Sequence, residues 1–147
     1  MKIINYNNNN RNFTINNLNN DINIIFIYSN SCFHCHAMMP DWNKVKEHYK
    51  KTSISGNIIQ LEANDLIKLN YQKINEQIKG YPTLMIFNKG KYIKEYNGNR
   101  TSTDIIKYIN SNLINKINDK QTKKKIIKNN KKTKKTREKN NTRRNKK

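Results

Sequence analysis

The segment INIIFIYSNSCFHC, residues 22–35, constrains the fold more than any other part of this 147-residue chain. Ile22 to Tyr28 is an almost unbroken run of Ile, Phe and Tyr. Such a run marks a strand buried on both faces, in the middle of a sheet covered by helices. It is too short to span a bilayer. A helical pattern follows, from Cys32 to about Lys50. Its apolar positions, Ala37, Met38, Trp42, Val45 and Tyr49, recur three, four or seven apart. Pro40 falls inside this helix and is expected to kink it. The only two cysteines, Cys32 and Cys35, therefore sit at the first turn of a helix entered from a central strand.

The remaining elements alternate. Ile58 to Glu62 reads as a short strand, and Asp65 to Ile78 as a helix with a possible break. TLMIFNKGKYIKEY (Thr83 to Tyr96) reads as two strands around a Lys89-Gly90 turn. TSTDIIKYINSNLI (Thr101 to Ile114) reads as an amphipathic helix capped by Ser102 or Thr103, with Ile105, Ile106, Ile109 and Leu113 inward. The order β-α-β-α-β-β-α predicts an α/β fold, a mixed sheet flanked by helices.

Cys-x-x-Cys admits several chemistries. As a redox dithiol, Cys32 profits from its place: free N–H groups and the positive end of the helix dipole stabilise a thiolate, the nucleophile of disulfide exchange. Cys32-Phe33-His34-Cys35-His36 also fits c-type haem attachment, with His36 as axial ligand. Zinc, which takes about four ligands, has Cys32, Cys35, His34 or His36 and His48 to draw on. A structural disulfide is the fourth reading, disfavoured in a reducing compartment.

Two distant stretches bear a family resemblance. IIFIYSNSCFHCHAMMPDW resembles the active-site strand and helix of the thioredoxin superfamily, most closely a catalytic domain of the protein disulfide isomerase type. IKGYPTLMIFNKGK (Ile78 to Lys91) resembles that family's cis-proline strand and hairpin, and EYNGNRTSTDIIKYI its last strand, loop and helix. The resemblance spans roughly residues 20–115. It implies a thioredoxin-like fold and thiol-disulfide oxidoreductase activity on protein thiols and disulfides, with no cofactor and no metal. It implies Cys32 as nucleophile, Cys35 as resolving thiol and a Cys32–Cys35 disulfide in the oxidised state. It makes His34 the histidine that favours the thiolate when cationic. Tyr81 and Pro82 become the substrate-facing cis-proline pair, with Phe33 beside them, and Arg100 the arginine that helps Cys35 ionise.

The departures are equally specific. Ser31 stands where the family has tryptophan, and Phe33 where it has glycine or proline. Phe26 stands where the family carries a buried acid, the proton acceptor for the resolving thiol. His36 occupies a position where lysine is frequent and reads as surface. His48 reads as solvated helix surface.

Composition matters at the ends. Lys and Arg number 30 against 10 acids, for a net charge of +20. From Lys120 to Lys147 there are fifteen Lys or Arg and one acid, so this tail holds +14 of the total. The expected division is an Asn-rich, disordered segment 1–12, a thioredoxin-like domain 13–116, and a disordered basic tail 117–147. The heavy use of Asn, Ile and Lys also fits an AT-rich genome, such as that of a large DNA virus or some protists. The tail suits non-specific nucleic-acid binding through counterion release. KKTKKTREK and TRRNKK suit a nuclear address. MKIINYNNNN lacks an apolar run of signal-peptide length, so the expectation is a soluble monomer of cytoplasm or nucleus, packaged in a virion if the source is viral. The competing function is a binding module: a thioredoxin-fold adaptor or nucleic-acid-associated component with weak redox activity.

Overall fold

The structure, a computed structural model, describes residues 1–6, 18, 19 and 21–113. The expectations of disorder in residues 7–12 and 117–147 lie outside the described residues. The elements are β1 (Lys2–Tyr6), β2 (Ile22–Tyr28), α1 (Phe33–Lys50), β3 (Asn57–Glu62), α2 (Ala63–Leu69), α3 (Gln72–Asn75), β4 (Thr83–Asn88) and β5 (Lys91–Glu95), then a helix, α4, over 102–113.

Five strands form one mixed sheet in the order β1-β3-β2-β4-β5. β3 runs parallel to both β1 and β2, whereas β4 is antiparallel to β2 and β5. β2 is the central strand, and its residues 22–27 are all buried. Its polar member, Asn23, is satisfied: its amide donates to the carbonyls of Leu18 and Asp21, and its oxygen accepts from the Asn57 amide at 2.8 Å. A buried amide left without those partners would cost about 1–3 kcal/mol.

Side chains alternate across the pleat. Ile25 and Ile27 join Ile59, Leu61, Met85 and Phe87 on one face, packed with Leu66 of α2, Ile74 of α3 and Tyr71, the residue that precedes α3. Phe26 faces the other way and stacks on Trp42 of α1, with ring centroids 4.8 Å apart. On this second face the Tyr49 hydroxyl reaches the carbonyl of Ile106 in α4 at 3.4 Å. The mixed sheet is thus covered by helices on both faces.

Several expectations change in detail. β1 falls within the segment assigned to the Asn-rich end, so the sheet includes residues 2–6 and the domain does not begin at residue 13. In α1 the inward residues are Cys35, Met38, Trp42, Val45 and Tyr49, while Ala37 is exposed. The helix is one continuous element through Pro40. The helix expected over 65–78 is broken at Asn70, which takes a left-handed conformation (φ 47°) and caps α2, so the stretch forms α2 and α3. Lys89 and Gly90 both have positive φ, 49° and 71°, which suits a tight two-residue hairpin turn. The cap of α4 is Thr101, one residue earlier than expected: its hydroxyl oxygen accepts from the Asp104 N–H at 3.3 Å and its proton goes to the Asp104 carboxylate at 2.9 Å. In α4, Ile105, Ile109 and Leu113 are buried, whereas Ile106 is half-buried.

Candidate active site

Cys32 is the N-cap of α1. Its sulfur accepts the backbone N–H of Cys35 at 3.2 Å, taking the place a serine or aspartate oxygen has at most helix starts. The Cys32 and Cys35 sulfurs are joined in a disulfide, and their Cα atoms are 5.2 Å apart. The two differ in access. Cys32 is half-buried, while Cys35, on the inward face of the first turn, is 1% exposed. Reduction of the pair leaves the outer sulfur at the positive end of an 18-residue helix with an N–H aimed at it.

The tight approach of the β4 entry completes the site. The Tyr81–Pro82 bond is cis, and the Tyr81 carbonyl oxygen lies 3.6 Å from the Cys32 sulfur. Tyr81 and Phe33 are solvent-facing, Phe33 at 80% exposure. Both present exposed aromatic surface on the segments that carry the disulfide and the cis-proline. His34 is exposed, its ring edge-on to Phe33 at 5.9 Å. Beyond Pro82 a cleft of 200 Å³ has a floor of Met38 and Leu84, with Tyr96 and Arg100 among its lining. The structure therefore joins Cys32, Cys35, Tyr81 and Pro82 directly and sets Arg100 at a cleft that Pro82 shares.

Among the described residues the histidines of the haem and zinc readings have other surroundings. The Nε2 atom of His36 is hydrogen-bonded to the Asn30 carbonyl at 2.7 Å, not free as an axial ligand. His48 lies near the far end of α1, edge-on to Tyr49. Among the described residues no three His, Cys, Asp or Glu side chains cluster to hold a metal ion.

Phe26 is fully buried under Trp42. Its cross-strand neighbour is Gln60, whose side-chain oxygen accepts from Trp42 Nε1 at 3.1 Å and from Lys46 Nζ at 2.7 Å. Desolvation holds the Lys46 amine below its ordinary value. A phenyl ring, an indole, an amide and a half-buried amine thus occupy the region where the family resemblance places an acid.

Asp41 links the site to the Arg100 loop. Its carboxylate accepts the backbone N–H of Ser102 at 3.1 Å, and that bond holds its pKa below the usual carboxylate value. A carboxyl group stabilised in its charged form when folded adds stability above its unfolded pKa and loses it as pH falls through the folded one. Chemical denaturation of wild type and Asp41→Asn is expected to show wild type ahead at pH 7, with the gap closing toward pH 3. An equal gap at both pH values would remove the carboxylate from this role.

Sequence reasoning missed three contributors here: Asn30, Glu62 and the Thr101 cap. Glu62 carries a readable signal, an acid immediately before a helix. Asn30 acts through its backbone, which no side-chain pattern displays.

The Thioredoxin family matches residues 2–111, and this chain belongs to that family. Bloodstream-specific protein 2 of Trypanosoma brucei brucei is 31% identical over 93 residues, covering 63% of this chain and 18% of that protein. Thioredoxin domain-containing protein R362 of Acanthamoeba polyphaga mimivirus is 33% identical over 94 residues, covering 61% of this chain and 26% of that one. Protein disulfide-isomerases from mouse, human, castor bean and barley are also relatives. Among solved structures, the J-Trx1 fragment of ERdj5 superposes with a TM-score of 0.59 at 21% identity, over 76% of this chain and 51% of the fragment. The domain is thus of the thioredoxin superfamily, related to the protein disulfide isomerase type. The chain spans about a fifth to a quarter of the length of its first two curated relatives. The Cys32–Cys35 disulfide, at the helix start of this fold, is an arrangement consistent with redox activity and disulfide exchange.

Proposed function

We propose that this chain is a thiol-disulfide oxidoreductase acting on protein substrates, with Cys32 as its nucleophile. The observation that carries the reading is the asymmetry of the disulfide: one sulfur at the surface beside the Tyr81 carbonyl, the other sealed beneath it. In the reducing direction the Cys32 thiolate attacks a substrate disulfide. One substrate sulfur joins Cys32 and the other leaves as a thiolate. Cys35, deprotonated, then attacks the Cys32 sulfur of the mixed disulfide, forming the Cys32–Cys35 bond and releasing the second substrate thiolate. Oxidation of a substrate dithiol is the same path reversed. Tyr81, Pro82 and Phe33 offer an apolar, backbone-presenting surface to an extended substrate segment. Arg100 adds positive charge that favours a thiolate at Cys35, and a cationic His34 would do the same at Cys32.

Insulin reduction by dithiothreitol tests this. The wild-type chain is expected to accelerate precipitation of the B chain, and Cys32→Ser to leave the uncatalysed rate. Equal rates with and without the wild-type chain would contradict the proposal.

A second reading, compatible with the first, rests on residues 120–147 and their net +14. This segment binds nucleic acid without sequence preference, since it neutralises phosphates but carries no aromatic side chain to stack on bases. Such a chain acts as a monomer in the cytoplasm or nucleus. Among the described residues no helix is long and apolar enough to cross a membrane. Deleting residues 120–147 is expected to leave insulin reduction unchanged and to abolish most retention on a DNA column at low salt. Undiminished retention would move the interface to the domain.

A further inference from the structure

His36 reads as surface in the sequence, and its ring is exposed, yet it is not idle. Its Nε2 lies 2.7 Å from the Asn30 carbonyl oxygen. A carbonyl oxygen only accepts, so Nε2 carries the proton and donates. The ring thus reaches from the first turn of α1 back to the loop two residues before Cys32.

The same loop is held from its other side. The Asn30 N–H donates to Glu62 Oε1 at 3.3 Å. Glu62 is buried at the end of β3, and its second oxygen caps α2 by accepting the Asn64 N–H at 2.6 Å. Between these anchors the Cys32 N–H donates to the Ser29 carbonyl at 3.1 Å, closing the turn that delivers Cys32 to the helix start. Residue 30 is therefore pinned through its N–H to the sheet and through its carbonyl to α1.

We propose that His36 is a positioning residue for the Cys32 sulfur, acting through this bond to the Asn30 carbonyl; the proposal rests on the reading of Cys32 as nucleophile. The sulfur's environment depends on that turn. It accepts the Cys35 N–H at 3.2 Å and sits 3.6 Å from the Tyr81 carbonyl. Without the His36 donor the exposed Asn30 carbonyl turns to water at little cost in stability. The turn loosens, the Cys35 N–H no longer holds a fixed sulfur, and the thiolate loses part of its stabilisation.

The test compares full-length His36→Leu and His36→Gln. A glutamine amide keeps an N–H donor at about the reach of Nε2, and leucine removes it. After reduction, Cys32 alkylation by iodoacetamide at pH 6 is expected to slow by about threefold to tenfold in His36→Leu, the factor implied by one ordinary hydrogen bond. The equilibrium with glutathione is expected to move toward the disulfide in the same variant. His36→Gln is expected to stay within about twofold of wild type on both measures, since its bond has the same net strength. No change in His36→Leu, or equal loss in both variants, would overturn the proposal. Nitrogen NMR of the wild-type ring gives an answer independent of folding in the variants: a proton on Nε2 is expected, and a neutral ring protonated only on Nδ1 would overturn it. If wild-type Cys35 is labelled ahead of Cys32, the functional reading fails, an outcome separate from the variant comparison.

Discussion

A Cys35→Ser chain is expected to accumulate mixed disulfides with protein thiols, all through Cys32. Exchange has two attacks, and the serine removes only the second. Cys32 remains at the helix N-cap with the residue-35 N–H directed at its sulfur, so the first attack proceeds. The intermediate then has no internal thiol to resolve it, and its lifetime rises by orders of magnitude, limited by added external thiol. Non-reducing electrophoresis followed by peptide mass analysis measures the adducts. The converse variant, Cys32→Ser, is expected to form few, because Cys35 is 1% exposed and a substrate sulfur cannot reach it. Abundant adducts on Cys35 in that variant would reverse the two roles.

The second large effect belongs to Phe26. In wild type, the buried Cys35 thiol must lose its proton with a phenyl ring, not a carboxylate, at the family's acidic position. Resolution of the mixed disulfide is therefore expected to be slow near pH 7 and to quicken as pH approaches the thiol's own pKa. Phe26→Glu is expected to speed resolution at pH 7 by roughly 10²-fold, the lower end of what a positioned base contributes. The same change removes a ring stacked 4.8 Å from Trp42. It is expected to lower stability by about 3–5 kcal/mol, as for loss of a buried phenyl group, with a further penalty for the buried carboxyl. Lys46 of α1, whose Nζ lies 2.7 Å from the side-chain oxygen of Gln60, the β3 partner of Phe26, supplies a nearby counter-charge that limits that penalty. Stopped-flow release of a Cys32-linked peptide reads the rate, and urea titration the stability. Fast wild-type release with no gain in a folded Phe26→Glu chain would mean that another group moves the proton.

Much of this fold was legible because its strongest signals are side-chain patterns. An almost unbroken run at 22–28 specified a central strand, and the spacing of Met38, Trp42, Val45 and Tyr49 specified the face of α1. The Lys89-Gly90 pair between apolar runs specified the hairpin. The closeness of Pro82 to the cysteines was legible only through family resemblance, since some fifty residues separate them and no local pattern joins them. β1 was missed for a physical reason. It is an edge strand in which Ile4 alone is buried, so KIINY lacks the apolar density that marks β2. The Thr101 cap was displaced by one because Thr101, Ser102 and Thr103 all carry a hydroxyl, and only backbone geometry chooses among them. The loop at residue 30 was invisible for a different reason. Its partners, His36 and Glu62, grip backbone N–H and C=O groups that every residue possesses.

The central claim is that Cys32 and Cys35 form a reversible two-electron couple. Equilibration of the purified chain against graded glutathione buffers, with acid quench, alkylation and mass analysis of residues 32–35, tests it most directly. The expected result is a single transition between disulfide and doubly alkylated dithiol, with a midpoint between about −270 and −180 mV, the interval from thioredoxin to protein disulfide isomerase. A pair that stays oxidised or reduced across the whole series, or titrates as two independent thiols, would contradict it.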